Sequence, residues 1–155
     1  MLDELRELYQ EVILDHGKKP RNFRRPEHPS GEAAGRNPLC GDQLVVYIDV
    51  DADGMIQDAA FVGKGCAISM ASASMMTEIV KGKSAEEAQR LFQDFQRMCT
   101  DDDADGMGAD VDEDIEKLQV LSGVRQFPVR VKCATLPWHT LNAAIEGKDE
   151  ISTEA

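Results

Sequence analysis

Hydrophobic positions along the chain switch between a helical and a strand period, and the switches divide it into elements. Leu2, Leu5, Tyr9, Val12 and Ile13 recur at helical spacing and predict an amphipathic helix over 2–16. Asp3 and Glu4 suit its first turn, and Gly17-Lys18-Lys19-Pro20 is a stop signal. The next stretch, 20–29, is polar and punctuated by proline, hence loop, and 31–37 is expected to hold a short edge strand. Residues 44–50 are rich in valine and isoleucine, and 56–63 form a second strand candidate. Asp51-Ala52-Asp53-Gly54 between them is a hairpin signal. A turn centred there pairs positions whose numbers sum to roughly 105–107.

The period then returns to helical. Residues 67–81 predict a helix with Ile68, Ala71, Met75, Met76 and Ile79 along one face, the methionines read as core filler. Ser84 is a fitting N-cap for a further helix to about 98, with Glu86 and Glu87 in its first turn. The stretch 100–112 is acidic and contains glycine, so it is loop; 113–121 is a short helix ended by Ser122-Gly123. Pro128 can open the last helix, which carries Val131, Cys133, Leu136, Leu141 and Ile145 and runs to about 146. Pro137 lies inside it, so the carbonyl of Cys133, four residues earlier, is expected to lose its helical partner and the helix to kink or tighten there. With no internal repeat, the reading is a single domain over 1–147 and a flexible tail over 148–155.

Composition narrows the function. A chain of 155 residues suits one core. A net charge of −12 argues against a nucleic-acid partner. No apolar run approaches membrane-spanning length and no signal-peptide pattern opens the chain, so a cytoplasmic protein with no membrane partner is expected. In such a reducing compartment, four cysteines (40, 66, 99 and 133) point to metal or sulfur chemistry before disulfides.

The cysteines are placed with purpose. Gly63-Lys64-Gly65 delivers Cys66 to the start of the small-residue helix beginning at 67. Orphan N–H groups and the helix dipole favour negative charge there, and the thiolate is both nucleophile and metal ligand. Folding the hairpin brings Cys40 beside Cys66 and Asp42 beside 63–65, at one end of the sheet. Cys133 joins from the last helix, one turn from Arg130 and next to Lys132, cations that favour a thiolate. Three thiolates and one carboxylate suit tetrahedral zinc, and the carboxylate is the harder, more exchangeable ligand. Cys99, at the edge of the acidic loop with no glycine or cation preparing it, is the competitor for the fourth position.

Asn37-Pro38-Leu39-Cys40-Gly41-Asp42, then Gly63-Lys64-Gly65-Cys66-Ala67-Ile68-Ser69-Met70-Ala71-Ser72-Ala73-Ser74-Met75-Met76, then Lys132-Cys133-Ala134-Thr135-Leu136 closely resemble the SufU/IscU-type iron–sulfur cluster assembly proteins. Tyr9…Val12-Ile13-Leu14-Asp15-His16…Pro20-Arg21-Asn22 is similar to that family's N-terminal segment, and the resemblance spans about residues 5–146. It implies an α+β fold, a small antiparallel sheet with helices packed on it, and a metal site of Cys40, Asp42, Cys66 and Cys133. IscU-type scaffolds carry histidine directly before the last cysteine, where this chain has Lys132, and the segment at roughly 83–112 resembles a SufU-type insertion. Pro137 departs from the SufU-type pattern. The resemblance therefore implies a zinc-dependent sulfurtransferase that accepts persulfide sulfur from a cysteine desulfurase, a pyridoxal-phosphate enzyme, and feeds the downstream iron–sulfur assembly machinery. Cys40, on a flexible turn, is the expected sulfur acceptor, with Cys133 the alternative and Arg130 assisting.

Two other readings use the same residues: a scaffold holding an Fe–S cluster on its cysteines, and a domain whose zinc only folds the chain. Two acidic runs, Asp49-x-Asp51-x-Asp53-Gly54 and Asp101-x-Asp103-x-Asp105-Gly106, imitate a calcium loop. They are read as a hairpin turn and a solvated charge run, because neither ends in the expected glutamate.

Overall fold

A computed structural model describes residues 2–37, 41–100, 118, 121, 128–147 and 150–152. The first element is helix α1, Leu2–Lys18. Strands β1 (Gly31–Asn37), β2 (Asp42–Val50) and β3 (Ile56–Lys64) follow, then helices α2 (Ala67–Val80), α3 (Ala85–Thr100) and α4 (Pro128–Glu146). The fold is α+β, an antiparallel β1-β2-β3 sheet with helices packed on it, as expected. A three-residue strand, β4 (Glu150–Ser152), pairs parallel with β1 at Ala34 to Arg36, giving the order β3-β2-β1-β4. It lies within the stretch that the sequence reading assigns to the tail.

The hairpin has the predicted register. Gln43 pairs with Lys64 and Asp49 with Asp58, each pair summing to 107, before a bulge at Val50. The Asp51 carboxylate accepts the N–H groups of Asp53 (2.9 Å) and Met55 (3.0 Å), and Gly54 takes φ 81°. This acidic run is therefore a self-capped turn. The second run, at 101–106, lies outside the described residues, as does most of the helix expected over 113–121. Leu118 and Leu121 of that stretch are buried in the core.

One sheet face, formed by Ala33, Leu44, Val46, Ile48, Ala59 and Phe61, joins Leu136, Leu141, Met76 and Phe95 in the core. Helix α4 lies close along β1 because two glycines leave room. A Cβ on Gly35 would collide with Thr140 Oγ1, and one on Gly31 would lie 3.0 Å from the Ala144 carbonyl. Gly31 thus meets the C-terminal part of α4 while Cys133, near its start, reaches Asn37 at the end of β1, so helix and strand run in opposite senses.

Helix α2 is buried on nearly every side, where the sequence suggests one buried face. Its alanines and serines allow close packing, and the hydroxyls are matched to partners. Ser72 Oγ donates to the Ala134 carbonyl, Ser74 Oγ accepts the Arg21 N–H at 2.8 Å and lies 2.7 Å from His16 Nδ1, and Thr77 Oγ1 accepts from Asn22 Nδ2. The His16…Arg21-Asn22 segment thereby clamps α1 and its following loop onto α2. The same loop covers the outer edge of β3, where Phe61 exchanges backbone hydrogen bonds with Asn22 and Arg24. Ser84 caps α3 by accepting the Glu87 N–H at 3.1 Å, as its position predicts. Helix α3 occupies the segment read as an insertion and buries Leu91, Phe92, Phe95 and Cys99.

Candidate metal centre

Three elements deliver ligands to one end of the sheet. Asp42 is the first residue of β2, Cys66 is the N-cap of α2, and Cys133 lies in the second turn of α4. One ligand atom from each lies within 4.8 Å of the other two. Asp42 and Cys133 are buried, at 1% and 0% exposure, while Cys66 is half-buried. The cluster is closed toward the core and open along Cys66.

The carboxylate is held before any ion arrives. Asp42 Oδ1 accepts the Cys66 backbone N–H at 2.8 Å, and Oδ2 accepts Asn37 Nδ2 at 3.3 Å. Asn37 Nδ2 also lies 3.5 Å from Cys133 Sγ. Cys66 Sγ accepts the Ser69 N–H at 3.5 Å, so the thiol occupies the place of an N-capping oxygen. Gly65 leaves the space that the carboxylate fills, since a Cβ there would stand 2.6 Å from Asp42 Oδ1. Arg130 is exposed at the rim, and negative charge on Cys66, then on Cys133, holds its guanidinium above its usual range. Lys132 is half-buried on the same turn.

This donor set fits zinc. Two sulfurs around tetrahedral Zn²⁺ at about 2.3 Å stand about 3.8 Å apart, and the ligand atoms here all lie within 4.8 Å of one another. A carboxylate with one lone pair engaged on each oxygen keeps others for a metal. Of the expected ligands, Asp42, Cys66 and Cys133 come together, and Cys40 lies outside the described residues. Cys99 sits in the hydrophobic core on α3, away from this group. Asn37 opens the sequence motif at 37–42, which by itself assigns it no role. Its signal, a polar residue at the inward-facing end of a strand, becomes legible only once β1 is paired with β2.

Residues 8–110 match the NifU-like N-terminal domain family. The chain is 43% identical over 141 residues to the zinc-dependent sulfurtransferase SufU of Bacillus subtilis (strain 168), covering 89% of each protein. It is 39% identical over 151 residues to the iron–sulfur cluster assembly scaffold protein IscU of Streptococcus pyogenes serotype M1, covering 94% of this chain and 87% of that one. A crystal structure from Fervidobacterium islandicum AW-1, titled as an iron–sulfur cluster assembly scaffold protein for the SUF system, superimposes with TM-score 0.76 at 33% identity. It covers 87% of this chain and 94% of that chain. The chain belongs to the SufU/IscU family of iron–sulfur cluster assembly proteins. Among the described residues, no helix is long and apolar enough to cross a membrane.

Proposed function

We propose that this protein is a zinc-dependent sulfur acceptor, a sulfurtransferase that takes persulfide sulfur from a cysteine desulfurase and passes it to the iron–sulfur assembly machinery. The convergence of Asp42, Cys66 and Cys133 carries this reading. The similarity to SufU, whose name states zinc dependence, and Lys132 in place of a histidine support it. Cys40 completes the ligand set in this reading. Zinc, when bound, would keep the thiols ionised and shielded. Cys66 stays fixed by its helix N-terminus, and Arg130 stands over both described thiols. The Cys40 thiolate attacks the terminal sulfur of the desulfurase persulfide. A new S–S bond forms on Cys40 as the donor's S–S bond breaks, and the donor cysteine leaves as thiolate. Cys66, Cys99 and Cys133 are thiols rather than disulfides, which suits a reducing, cytoplasmic setting.

The test is desulfurase turnover with and without the protein, followed by mass spectrometry after a single turnover. Raised turnover and added sulfur on Cys40 are expected. Sulfur only on Cys133 would transfer the acceptor role to that residue, and no added sulfur would refute the proposal. The IscU relative favours a second reading, a scaffold holding an Fe–S cluster. Anaerobic reconstitution giving a stable, stoichiometric cluster that passes to an apo-protein would select it.

A further inference from the structure

We propose that Asn37 is a positioning residue of the metal site, its side-chain amide tying the Asp42 carboxylate to the Cys133 thiol. The inference rests on the metal-binding reading above and concerns what holds the ligands in place. Asn37 is fully buried, at 0% exposure. It ends β1 directly opposite Asp42, which begins β2, so the two side chains share the inward face. Cys133 arrives from α4, 96 residues further along the chain.

An amide NH₂ has two hydrogens. The geometry offers one to Asp42 Oδ2 at 3.3 Å and one to Cys133 Sγ at 3.5 Å. Both groups are acceptors when ionised, so the nitrogen end of the amide must face them; the opposite orientation would set an amide oxygen against a carboxylate. A buried amide is costly unless partnered, and these acceptors supply partners. Two further bonds at the site come from the main chain, Cys66 N–H to Asp42 and Ser69 N–H to Cys66. The Asn37 side-chain amide reaches two ligands from different elements, the carboxylate that begins β2 and the thiol of α4. It sets the spacing between the hard ligand and the deeply buried soft one, and it places two N–H dipoles beside concentrated negative charge.

The test compares wild type with Asn37→Leu, which keeps a similar volume and removes both donors. Zinc affinity by chelator competition should fall about 10–100-fold, the usual cost of losing a group hydrogen-bonded to a ligand. The visible bands of the cobalt-substituted protein should shift, reporting altered ligand geometry, while far-UV circular dichroism stays unchanged. Affinity within twofold of wild type and an identical cobalt spectrum would overturn the proposal. If Asn37→Leu does not fold, Asn37→Asp, of equal size and lacking the donors, is read by the same two criteria. A wild-type protein that takes up neither zinc nor cobalt sinks the metal reading instead. The amide is then judged in the metal-free protein by NMR. Slow exchange of the Asn37 side-chain protons, quickened by Cys133→Ala, supports its placement; fast exchange unaltered by Cys133→Ala overturns it.

Discussion

Asp42 Oδ1 accepts the backbone N–H of Cys66 at 2.8 Å, so a carboxylate and a thiol of the same site are joined through the main chain. The bond ties the start of β2 to the N-cap of α2 and lets neither ligand move without the other.

The purified protein should therefore carry about one zinc ion. Cys40→Ser, Cys66→Ser, Cys133→Ser and Asp42→Ala should each weaken it markedly in a chelator competition. Cys99→Ser, altering a thiol in the hydrophobic core, should leave it unchanged. Zinc lost from Cys99→Ser but kept by Asp42→Ala would demand a different site.

Gly65→Ala isolates a steric requirement. The φ angle of Gly65 is not in the left-handed region, so alanine adds no backbone strain there, but its Cβ would press on the Asp42 carboxylate at 2.6 Å. Zinc affinity should drop by about tenfold or more, as for other losses of ligand support. Thermal stability of the metal-free protein should change less than in Gly63→Ala. At Gly63, φ of 146° and contact with the β2 backbone add two further penalties. Equal zinc affinity in Gly65→Ala and wild type would show that the carboxylate has room to spare.

Pro137 lies within α4 and cannot donate to the Cys133 carbonyl. One residue on, the Ala134 carbonyl is met by Ser72 Oγ at 2.5 Å. Ser72→Ala should cost about 0.5–1.5 kcal/mol in chemical denaturation, the net worth of one ordinary hydrogen bond, because the Ala134 carbonyl keeps its place in the helical ladder. Pro137→Ala should restore a helical donor opposite Cys133 and, by re-aiming its sulfur, weaken zinc binding. Unchanged affinity would leave the proline with a packing role alone.

Stability should fall as pH drops below about 6.5, the ordinary histidine value. Burial, then Arg21, pushes the His16 pKa down, against smaller opposing effects of Glu78 and Asp15, and burial does the same to His139. The unfolded chain then binds more protons than the folded one, so stability rises with pH across this window. It is fully present above the unfolded value and lost as pH falls through the depressed folded values. Asp15, Asp51 and Asp58, also depressed, act in a lower window, beneath their ordinary 3.8. Denaturation of the metal-free protein at a series of pH values, with His16→Gln flattening part of the upper slope, measures this. A flat profile from pH 7 to 5 would contradict it.

Elements governed by local chemistry were legible in the sequence. The Asp-Gly turn set the register of β2 and β3, Ser84 marked the start of α3, and the glycine pair put Cys66 at a helix N-terminus. Relations decided by packing between distant elements were not. Asn37 gains its meaning only when α4 lies against β1, an approach set by missing side chains at Gly31 and Gly35. The burial of α2 on most sides could not be read from the sequence, where Ile68, Ala71, Met75, Met76 and Ile79 mark one apolar face and the remaining small residues mark none. Strand β4 is too short to announce itself by alternation, and it depends on the edge of β1 being within reach.

That short strand also bears on solubility. One margin of the sheet is β4, only three residues long, and at the other Phe61 of β3 exchanges backbone hydrogen bonds with Asn22 and Arg24. Strand addition by a second molecule, the usual route by which small sheets aggregate, has little backbone left to template on.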